Sequence, residues 1–413
     1  MKVAVVGAGS TYTPELVSGL GGFDVPIDEL ALMDVDDERL DVVGGLATRM
    51  LDQTSWRGNL SLTTDLDRAV DGADFVLLQI RVGGQAARLR DETIPLACGC
   101  IGQETTGAGG FAKAMRTVPV VLQIADRVRE LAGERAWIVD FTNPVGIVTR
   151  SLLDAGHRAV GLCNVAIGFQ RSLAELLGVE HRRVVVDQVG LNHLTWVRRV
   201  LLDDRDVLPE LLDAHPDELA EHTGVERSVL DDLKVLPSYY LHYFYDHDRV
   251  LEELHDATPR AAAVAEIERQ LLEMYRDPAL TTKPALLEQR GGAFYSEAAV
   301  GLVASLIRDD GAVHEVDVRN GGVLAGLADD DVVEVPARVR GGVIEPLPQE
   351  PLAPELLGLT QHVTAYERLA AEAAVTRDPV TARKALLAHP LIGQVAQIDA
   401  LLEAALLESG VPR

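Results

Sequence analysis

The chain has 413 residues, of which 47% are hydrophobic and 25% charged, and its formal net charge is -26. This composition is typical of a globular protein with one large or two closely joined domains. The acidic balance argues against a nucleic-acid partner, and no apolar stretch reaches the ~18 residues that would predict a membrane span. Only three cysteines are present, without the pattern of a disulfide framework, so we expect a reducing, cytoplasmic location.

The first half of the chain alternates apolar runs with helical segments. Residues 3–6 form a short apolar run that ends in Gly7, which predicts a buried parallel strand and not a signal peptide. Thr13, Pro14 and Glu15 are typical of a helix start, because proline is tolerated in the first turn. Further strands are predicted at residues 29–33, 74–80, 137–141 and 159–163, with a helix at 36–51.

The second half changes character. Residues 205–290 and 354–407 have helical patterns, residues 317–322 carry a turn signal, and short strands at 332–335 and 343–345 flank a turn at 340–342. The fold class is therefore α/β. We expect an N-terminal Rossmann-like, doubly wound parallel sheet and a mixed, largely helical C-terminal α+β substrate domain.

A glycine loop follows the first predicted strand. Gly7 allows a tight turn, Gly9 lets backbone amides approach a pyrophosphate, and Ser10 precedes the helix. Tyr12 stands where the full motif has a third glycine. Asp34 ends the second strand, where it would accept hydrogen bonds from a ribose and repel a 2'-phosphate, so the pattern favours NAD over NADP. The alternative is a glycine turn without a dinucleotide.

Cys163 and His193 each follow a Gly-Leu pair and are candidate metal ligands. Individually, they are also compatible with a buried apolar cysteine and a core histidine. Together, a thiolate and an imidazole suit a divalent transition metal, with substrate oxygens completing the coordination. The thiolate by itself favours zinc, iron or cobalt.

Three further polar residues lie in distinctive segments. Asn143, in Thr-Asn-Pro after the fourth main strand, is a candidate for holding a substrate hydroxyl, or a turn residue. Glu104 is a further candidate site residue, because it lies in a polar segment flanked by glycines. The alternative is that this segment is a solvated surface loop without a role in the site. Tyr240 belongs to an aromatic cluster at 237–245 that is compatible with core packing, although a tyrosine acts as a base where positive charge lowers its pKa.

These motifs together resemble glycoside hydrolase family 4, and within it the 6-phospho-β-glucosidases. The matching segments are residues 6–10 (VGAGS), 101–110 (IGQETTGAGG), 141–144 (FTNP), 161–165 (GLCNV), 190–193 (GLNH) and 290–296 (RGGAFYS). The six segments occur in the family's order and extend over nearly the whole chain, so a chance match does not explain them.

The resemblance implies a role for each site residue. Cys163 and His193 match metal ligands, with manganese as the usual metal; Tyr240 matches the base that removes the C2 proton, and Glu104 matches the carboxylate that makes that tyrosine more basic. Substrate-binding positions correspond to Arg88, Asn143, Arg260 and Asn164. Relatives that cleave α-linked sugars have aspartate in place of Asn164, so asparagine favours β-linked substrates and leaves the general acid unassigned.

The implied reaction is hydrolysis by C3 oxidation with NAD, C2 deprotonation, elimination, water addition and re-reduction. The implied substrate is a phosphorylated disaccharide or aryl glucoside. We expect residues 1–165 to bind NAD and residues 166–413 to supply the catalytic and oligomer contacts of a dimer or tetramer, without nucleic-acid or membrane partners.

Alternatives remain open at this point. They are an NAD-dependent dehydrogenase of a small hydroxy acid or sugar, a family 4 glycosidase acting on a non-phosphorylated or α-linked sugar, and a non-catalytic NAD-sensing module. Arg88 and Arg260 could donate to a sugar 6-phosphate, and the alternative is that they neutralise neighbouring acids.

Overall fold

The computed structural model describes residues 1–22, 26–291, 294–392 and 395–408. Gly292 and Ala293 of the last motif therefore lie outside the described residues. In the described parts of the chain, no helix is both long and apolar enough to cross a membrane.

The described strands belong to a single 13-stranded sheet, and helices cover it. The strands are β1 (Lys2–Val6), β2 (Glu29–Met33), β3 (Asn59–Thr63), β4 (Phe75–Leu78), β5 (Trp137–Asp140), β6 (Ala159–Gly161), β7 (Val184–Leu191), β8 (Leu194–Leu202), β9 (Arg205–Asp206), β10 (Leu236–Pro237), β11 (Val313–Arg319), β12 (Val332–Arg340) and β13 (Val343–Pro346).

The helices alternate with the strands in the first half and dominate the second half. They are α1 (Thr13–Gly22), α2 (Asp37–Leu51), α3 (Leu66–Val70), α4 (Gly84–Ala97), α5 (Gly107–Leu131), α6 (Val145–Asp154), α7 (Val165–Leu177), α8 (Leu208–Ala214), α9 (Pro216–Thr223), α10 (Arg227–Leu233), α11 (His242–Tyr245), α12 (His247–Asp256), α13 (Arg260–Tyr275), α14 (Tyr295–Arg308), α15 (Pro354–Thr376), α16 (Pro379–Ala388) and α17 (Val395–Glu408).

The N-terminal half is the predicted Rossmann-like sheet. Its strands follow the order β3-β2-β1-β4-β5-β6, and all of these neighbours are parallel. The central strands are apolar because helices cover both faces of a parallel sheet, and all four residues of β4 are buried. The strand order reverses between β1 and β4, where a crevice opens at the carboxyl ends of the strands.

The C-terminal strands extend the same sheet with antiparallel neighbours. β11 pairs with β6, β12 with β11, β7 with β12 and β8 with β7. The mixed, largely helical C-terminal part is thus confirmed. Because the sheet runs without a break past residue 165, it does not itself mark the division between residues 1–165 and 166–413, and that division stays a prediction.

Several local predictions needed correction. The turn signal at residues 317–322 was wrong for its first half, because Asp317, Val318 and Arg319 lie in β11; only from Asn320 onward does the chain turn. β12 continues five residues past the predicted end at Val335 because its residues pair with β11 and β13. The sequence reading also missed β3 and the β7–β8 hairpin, whose apolar and β-branched runs carried a usable strand signal.

The main core lies between this sheet and its helices. Phe111 of α5 and Trp196 of β8 are fully buried in it. A second apolar cluster packs α7–α10 against the outer antiparallel strands, with Phe169, Val200 and Leu236 among its members.

Candidate active site

Two glycines of the loop, Gly7 and Gly9, each lie very close to another segment of the chain. Gly7 has φ +92°, and a Cβ on it would stand 2.8 Å from the carbonyl oxygen of Gln79. The amide of Gly9 donates to Asp34 Oδ2 at 2.7 Å, and a Cβ there would stand 2.8 Å from the Asp34 carboxyl carbon. Side chains larger than hydrogen would fill the space at the end of β1, so these residues fit a cradle for a dinucleotide pyrophosphate.

The cleft at the switch point has a volume of 1420 Å³ and contains most of the predicted site. Ten of the twelve predicted site residues line it: Gly7, Gly9, Ser10, Asp34, Arg88, Glu104, Asn143, Asn164, Tyr240 and Arg260. Cys163 and His193 do not line it, since both side chains are buried just behind Tyr240. The structure thus brings segments from both halves of the chain to one crevice, as expected for ligand sites in open α/β sheets.

Glu104 is buried and surrounded by three cations. Its carboxylate accepts hydrogen bonds from Arg81 and from Lys113 Nζ at 2.6 Å, and Arg88 Nε lies 3.1 Å from the other oxygen. Burial acts to raise the pKa of this carboxyl, but the charges of Arg81, Lys113 and Arg88 outweigh it and hold the pKa well below its usual range. Glu104 is therefore an ionised carboxylate inside a positively charged group of side chains.

Tyr240 stacks on His193. The two ring centroids are 3.6 Å apart and the ring planes differ by 8°. Burial lowers the pKa of His193 to about 3, with repulsion from Lys113 adding to it and Glu104 opposing it, so the imidazole is neutral. Its Nδ1 lies 3.0 Å from the Thr105 hydroxyl, a hydrogen bond that fixes the ring and leaves Nε2 for a ligand.

The phenol of Tyr240 is poised among several charges. Burial raises its pKa well above 10, and the neighbouring Cys163, Tyr243 and Glu104 raise it further, while Arg88 opposes them. The carboxylate of Glu104 thus increases the proton affinity of Tyr240, as the sequence-based reading of this pair expects.

Cys163 follows β6 and lies against the first turn of α7. The Val165 backbone N–H and the side-chain amide of Asn192 lie near its sulfur and act to lower the pKa of the thiol. Burial and the nearby carboxylates of Glu334 and Asp317 nevertheless raise the pKa of the thiol well above its usual value. A cation bound at this sulfur would offset both effects.

Asn143 has an unsatisfied oxygen at the cleft. Its Oδ1 is buried without a hydrogen-bond partner, while its side chain also hydrogen-bonds the hydroxyl of Tyr295. An orphaned buried acceptor in a ligand-sized cleft indicates a missing donor, such as a sugar hydroxyl. Asn164, one residue beyond Cys163, lines the same cleft.

Arg88 and Arg260, the two arginines predicted to bind a phosphate, have different partners. Arg88 Nε is 2.8 Å from Glu92 and 3.1 Å from Glu104, so carboxylates already surround it. Arg260, at the exposed start of α13, donates to backbone carbonyls of residues 289 and 290. No ion pair joins Arg260 to a carboxylate among the residues that the structure describes. Its charge is thus the less compensated of the two predicted phosphate-binding arginines.

Sequence reasoning missed several residues of this site. Lys113, Arg290 and Tyr295 line the cleft, and Asn192 and Glu334 lie behind it. Two of these residues had a usable signal in their sequence positions: Lys113 lies three residues beyond the 101–110 segment, and Tyr295 lies within the 290–296 segment. Glu334 had no local signal, because it lies in an ordinary strand.

The donor set is consistent with a metal bound partly by substrate. Within the described ranges, no group of three or more His, Cys, Asp or Glu side chains is arranged to hold a metal. A neutral imidazole and a buried sulfur form an incomplete set of two donors, which sugar oxygens can complete.

Comparison with known proteins identifies the family. The profile described as "Family 4 glycosyl hydrolase" matches residues 2–179, and that described as "Family 4 glycosyl hydrolase C-terminal domain" matches residues 188–392. The protein of Bacillus subtilis (strain 168) named "Probable 6-phospho-beta-glucosidase" is 40% identical, with 98% of this chain and 96% of that protein covered. A phospho-alpha-glucosidase of Clostridium acetobutylicum is 28% identical, with coverage of 94% and 92%.

A solved structure extends the likeness to three dimensions. The 6-phospho-beta glucosidase from Thermotoga maritima, determined with manganese, NAD+ and glucose-6-phosphate, has 35% identity and a TM-score of 0.91 over 98% of each chain. The profiles and the relatives both cover nearly the full length. The chain belongs to family 4 of the glycosyl hydrolases.

Proposed function

We propose that this protein hydrolyses 6-phospho-β-glucosides with NAD and a divalent metal, manganese in its close relatives. The observation that carries the proposal is the convergence at one cleft of the glycine loop, the Tyr240–His193 stack beside Cys163, and the unsatisfied oxygen of Asn143. The relative solved with manganese, NAD+ and glucose-6-phosphate supports the same set of ligands.

The chain offers a place for each cofactor. Gly7, Gly9 and Ser10 would hold the NAD pyrophosphate. Asp34, whose Oδ1 accepts the Asp36 N–H at 3.1 Å, would hold the adenosine ribose. Cys163 and His193 would hold the metal. When bound, NAD takes a hydride from sugar C3 and returns it, and the metal supplies positive charge for the oxygens near C2 and C3.

Tyr240 is the residue that removes and returns the proton at sugar C2. Its hydroxyl lies in the cleft, and its ring is held flat against His193, which fixes its direction. Glu104 increases the proton affinity of that oxygen, while Arg81, Lys113 and Arg88 keep Glu104 ionised. Tyr240 would therefore act as the base once the positive charge of a bound metal, together with Arg88, lowers the pKa of its phenol, and Glu104 would tune that pKa in the opposite direction.

The substrate residues surround this pair. Asn143 accepts a hydrogen bond from a sugar hydroxyl through Oδ1, and Asn164 lies next to the metal-binding cysteine. Arg260 is better placed than Arg88 to bind a 6-phosphate, because no carboxylate in the described part of the chain is paired with it. The β preference is supported by Asn164 and by the higher identity to the β-glucosidase relative, 40% against 28%.

The remaining assignments concern organisation. We place NAD binding in residues 1–165 and the base, the histidine ligand and subunit contacts in 166–413, although the sheet joins both parts. The three free cysteines support a reducing location, the cytoplasm. We also propose that the protein is a homo-oligomer of two or four subunits without nucleic-acid or membrane partners.

The deciding assay measures cleavage of an aryl β-glucoside 6-phosphate with NAD+, Mn²⁺ and a thiol reductant. Cleavage is expected without net accumulation of NADH, and the product formed in D2O carries deuterium at C2. Cleavage that persists after removal of all NAD would overturn the redox route. Stoichiometric NADH would instead indicate a dehydrogenase, and NAD binding without turnover of any glycoside would indicate a sensing module.

Matched substrates and variants locate the site. The unphosphorylated and α-linked aryl glucosides test the phosphate and the anomer; faster cleavage of either one would replace the stated substrate class. Cys163→Ser should abolish Mn²⁺-dependent cleavage while NAD binding remains. Cys100→Ser, which changes an equally buried thiol outside the cleft, is the control and should keep activity. Full activity of Cys163→Ser would reject the metal assignment.

A further inference from the structure

The two proposed metal ligands lie at the ends of strands that are not neighbours in the sheet. Cys163 follows β6 and His193 lies in the turn between β7 and β8, while β11 and β12 separate β6 from β7 in the sheet. Three strand spacings of about 4.8 Å amount to roughly 14 Å between β6 and β7. The paired ladders between these strands are also short, because β6–β11 and β7–β12 each have a single registered pair. Backbone pairing alone therefore does not fix the two ligands relative to each other.

The side chain of Asn192 crosses this gap. Its amide donates to Glu334 Oε2 at 3.0 Å, and the same amide lies close enough to the sulfur of Cys163 to act on that thiol. The same residue directly precedes His193, which has φ +62° in the two-residue turn. A non-glycine residue held at positive φ is uncommon and indicates that the surroundings constrain it. One side chain thus contacts the first ligand while its backbone carries the second.

Glu334 is a buried anchor for that amide. Its side chain lies on β12 with 2% exposure, and its other oxygen accepts a hydrogen bond from Gln188 Nε2 at 2.6 Å. Both oxygens are therefore engaged by amide donors from β7 and its turn. Because Oε2 accepts its hydrogen bond from Asn192 Nδ2, the amide is oriented with its nitrogen toward Glu334.

We propose that Asn192, anchored by Glu334, is the positioning residue that holds Cys163 and His193 together for the divalent metal. The inference rests on the proposed function in that it takes these two residues as the ligands. Outer partners of metal ligands typically change metal affinity by about 10–100-fold when removed, because they fix the direction and the basicity of the ligand. A purely structural role for Asn192 would change stability and leave metal affinity intact.

The first test measures Mn²⁺ binding, without substrate or turnover. The free-Mn²⁺ signal in electron paramagnetic resonance gives the Kd of the NAD-loaded wild type and of Asn192→Ala. We expect Asn192→Ala to raise the Kd at least tenfold while the NAD Kd, read by fluorescence, stays within twofold. Mn²⁺ should also protect Cys163 from iodoacetamide in the wild type and much less in the variant. An Asn192→Ala Kd for Mn²⁺ within twofold of wild type would overturn the inference.

A double-mutant cycle tests whether Asn192 and Glu334 act as one unit. Glu334→Leu removes the acceptor and should weaken Mn²⁺ binding about as much as Asn192→Ala, and the double variant should be little weaker than either. Glu315→Gln is the matched control: it changes another carboxyl on β11, whose Oε2 has no hydrogen-bond partner among the described residues and which does not act on Cys163, and it should leave the Mn²⁺ Kd within threefold. Additive losses, or an equal loss in Glu315→Gln, would refute the positioning role.

The outcomes separate this inference from the function on which it rests. A wild type that cleaves the phosphoglucoside but whose Asn192→Ala variant binds Mn²⁺ normally overturns the inference alone. A wild type that binds no Mn²⁺ overturns both. Should Glu334→Leu lose NAD binding through misfolding, the result for Asn192→Ala decides by itself.

Discussion

Glu367→Gln should stabilise this protein in a pH-dependent manner. Glu367 lies on α15 with 9% exposure, and its Oε1 lies 2.8 Å from where a Cβ on Gly146 would stand. Burial raises the pKa of this carboxyl from 4.5 to about 8; Arg150 attracts the charge and Asp331 repels it. At neutral pH the folded protein therefore keeps a proton that the unfolded chain releases.

The size of the effect follows from proton linkage. Because the folded pKa is raised, the contribution of Glu367 to stability is fully present below pH 4.5 and is lost as the pH rises toward 8, at about 1.4 kcal/mol per pH unit. Glutamine resembles the protonated acid and does not titrate. The gain for the variant should thus be near zero at pH 4.5 and about 3 kcal/mol at pH 7. With an unfolding entropy of about 2.1 cal/mol/K per residue, this corresponds to a rise in Tm of about 4 °C.

The assay is thermal unfolding of the wild type and the variant without ligands, at half-unit steps from pH 5 to pH 8. Glu372→Gln, an exposed carboxylate on the same helix, is the control and should show no pH-dependent difference. A difference in Tm that does not change with pH, or a variant less stable than wild type at pH 7, would refute the view that Glu367 is protonated in the folded protein.

Three further substitutions test particular contacts. Gly7→Ala should weaken NAD binding at least tenfold in a fluorescence titration, because its positive φ and its close approach leave no room for a methyl group; unchanged affinity would contradict the cradle. Tyr275→Phe removes the hydrogen bond from its hydroxyl to the Thr11 carbonyl at 2.7 Å, and the Tm should fall by about 1–2 °C for a loss of about 1–2 kcal/mol; an equal Tm would show that water replaces it. Lys113→Met breaks a buried ion pair with Glu104 and should reduce cleavage more than tenfold while NAD binding persists; normal cleavage would show that Glu104 needs only its arginine partners.

The fold and much of the site could be predicted because the signals are local. Gly7, Asn143 and Cys163 each follow an apolar strand, and parallel strands bring their carboxyl ends to one edge of the sheet. That topology explains why these three residues lie close together near the cleft. The order of the first six strands also agrees with the alternation of strands and helices along the chain.

Other features depend on contacts that no local pattern reveals. Asp317 was assigned to a turn, yet it lies in a strand because it pairs with Glu334 and with Gly161. The hydrogen bonds that join Glu334 to Asn192 connect positions 142 residues apart. Periodicity describes one segment at a time and does not identify its partner in the sheet.

The sequence by itself determined the chemistry that is available: a glycine loop, a thiol, an imidazole, a phenol and a carboxylate at the ends of predicted elements. Only the tertiary structure decided that the imidazole lies flat against Tyr240, that three cations keep Glu104 ionised, and that Asn192 reaches the sulfur of Cys163. The physical reason is that residue types set what a group can donate, accept or bind, whereas burial and neighbouring charges, which depend on distant segments, set its ionisation and direction.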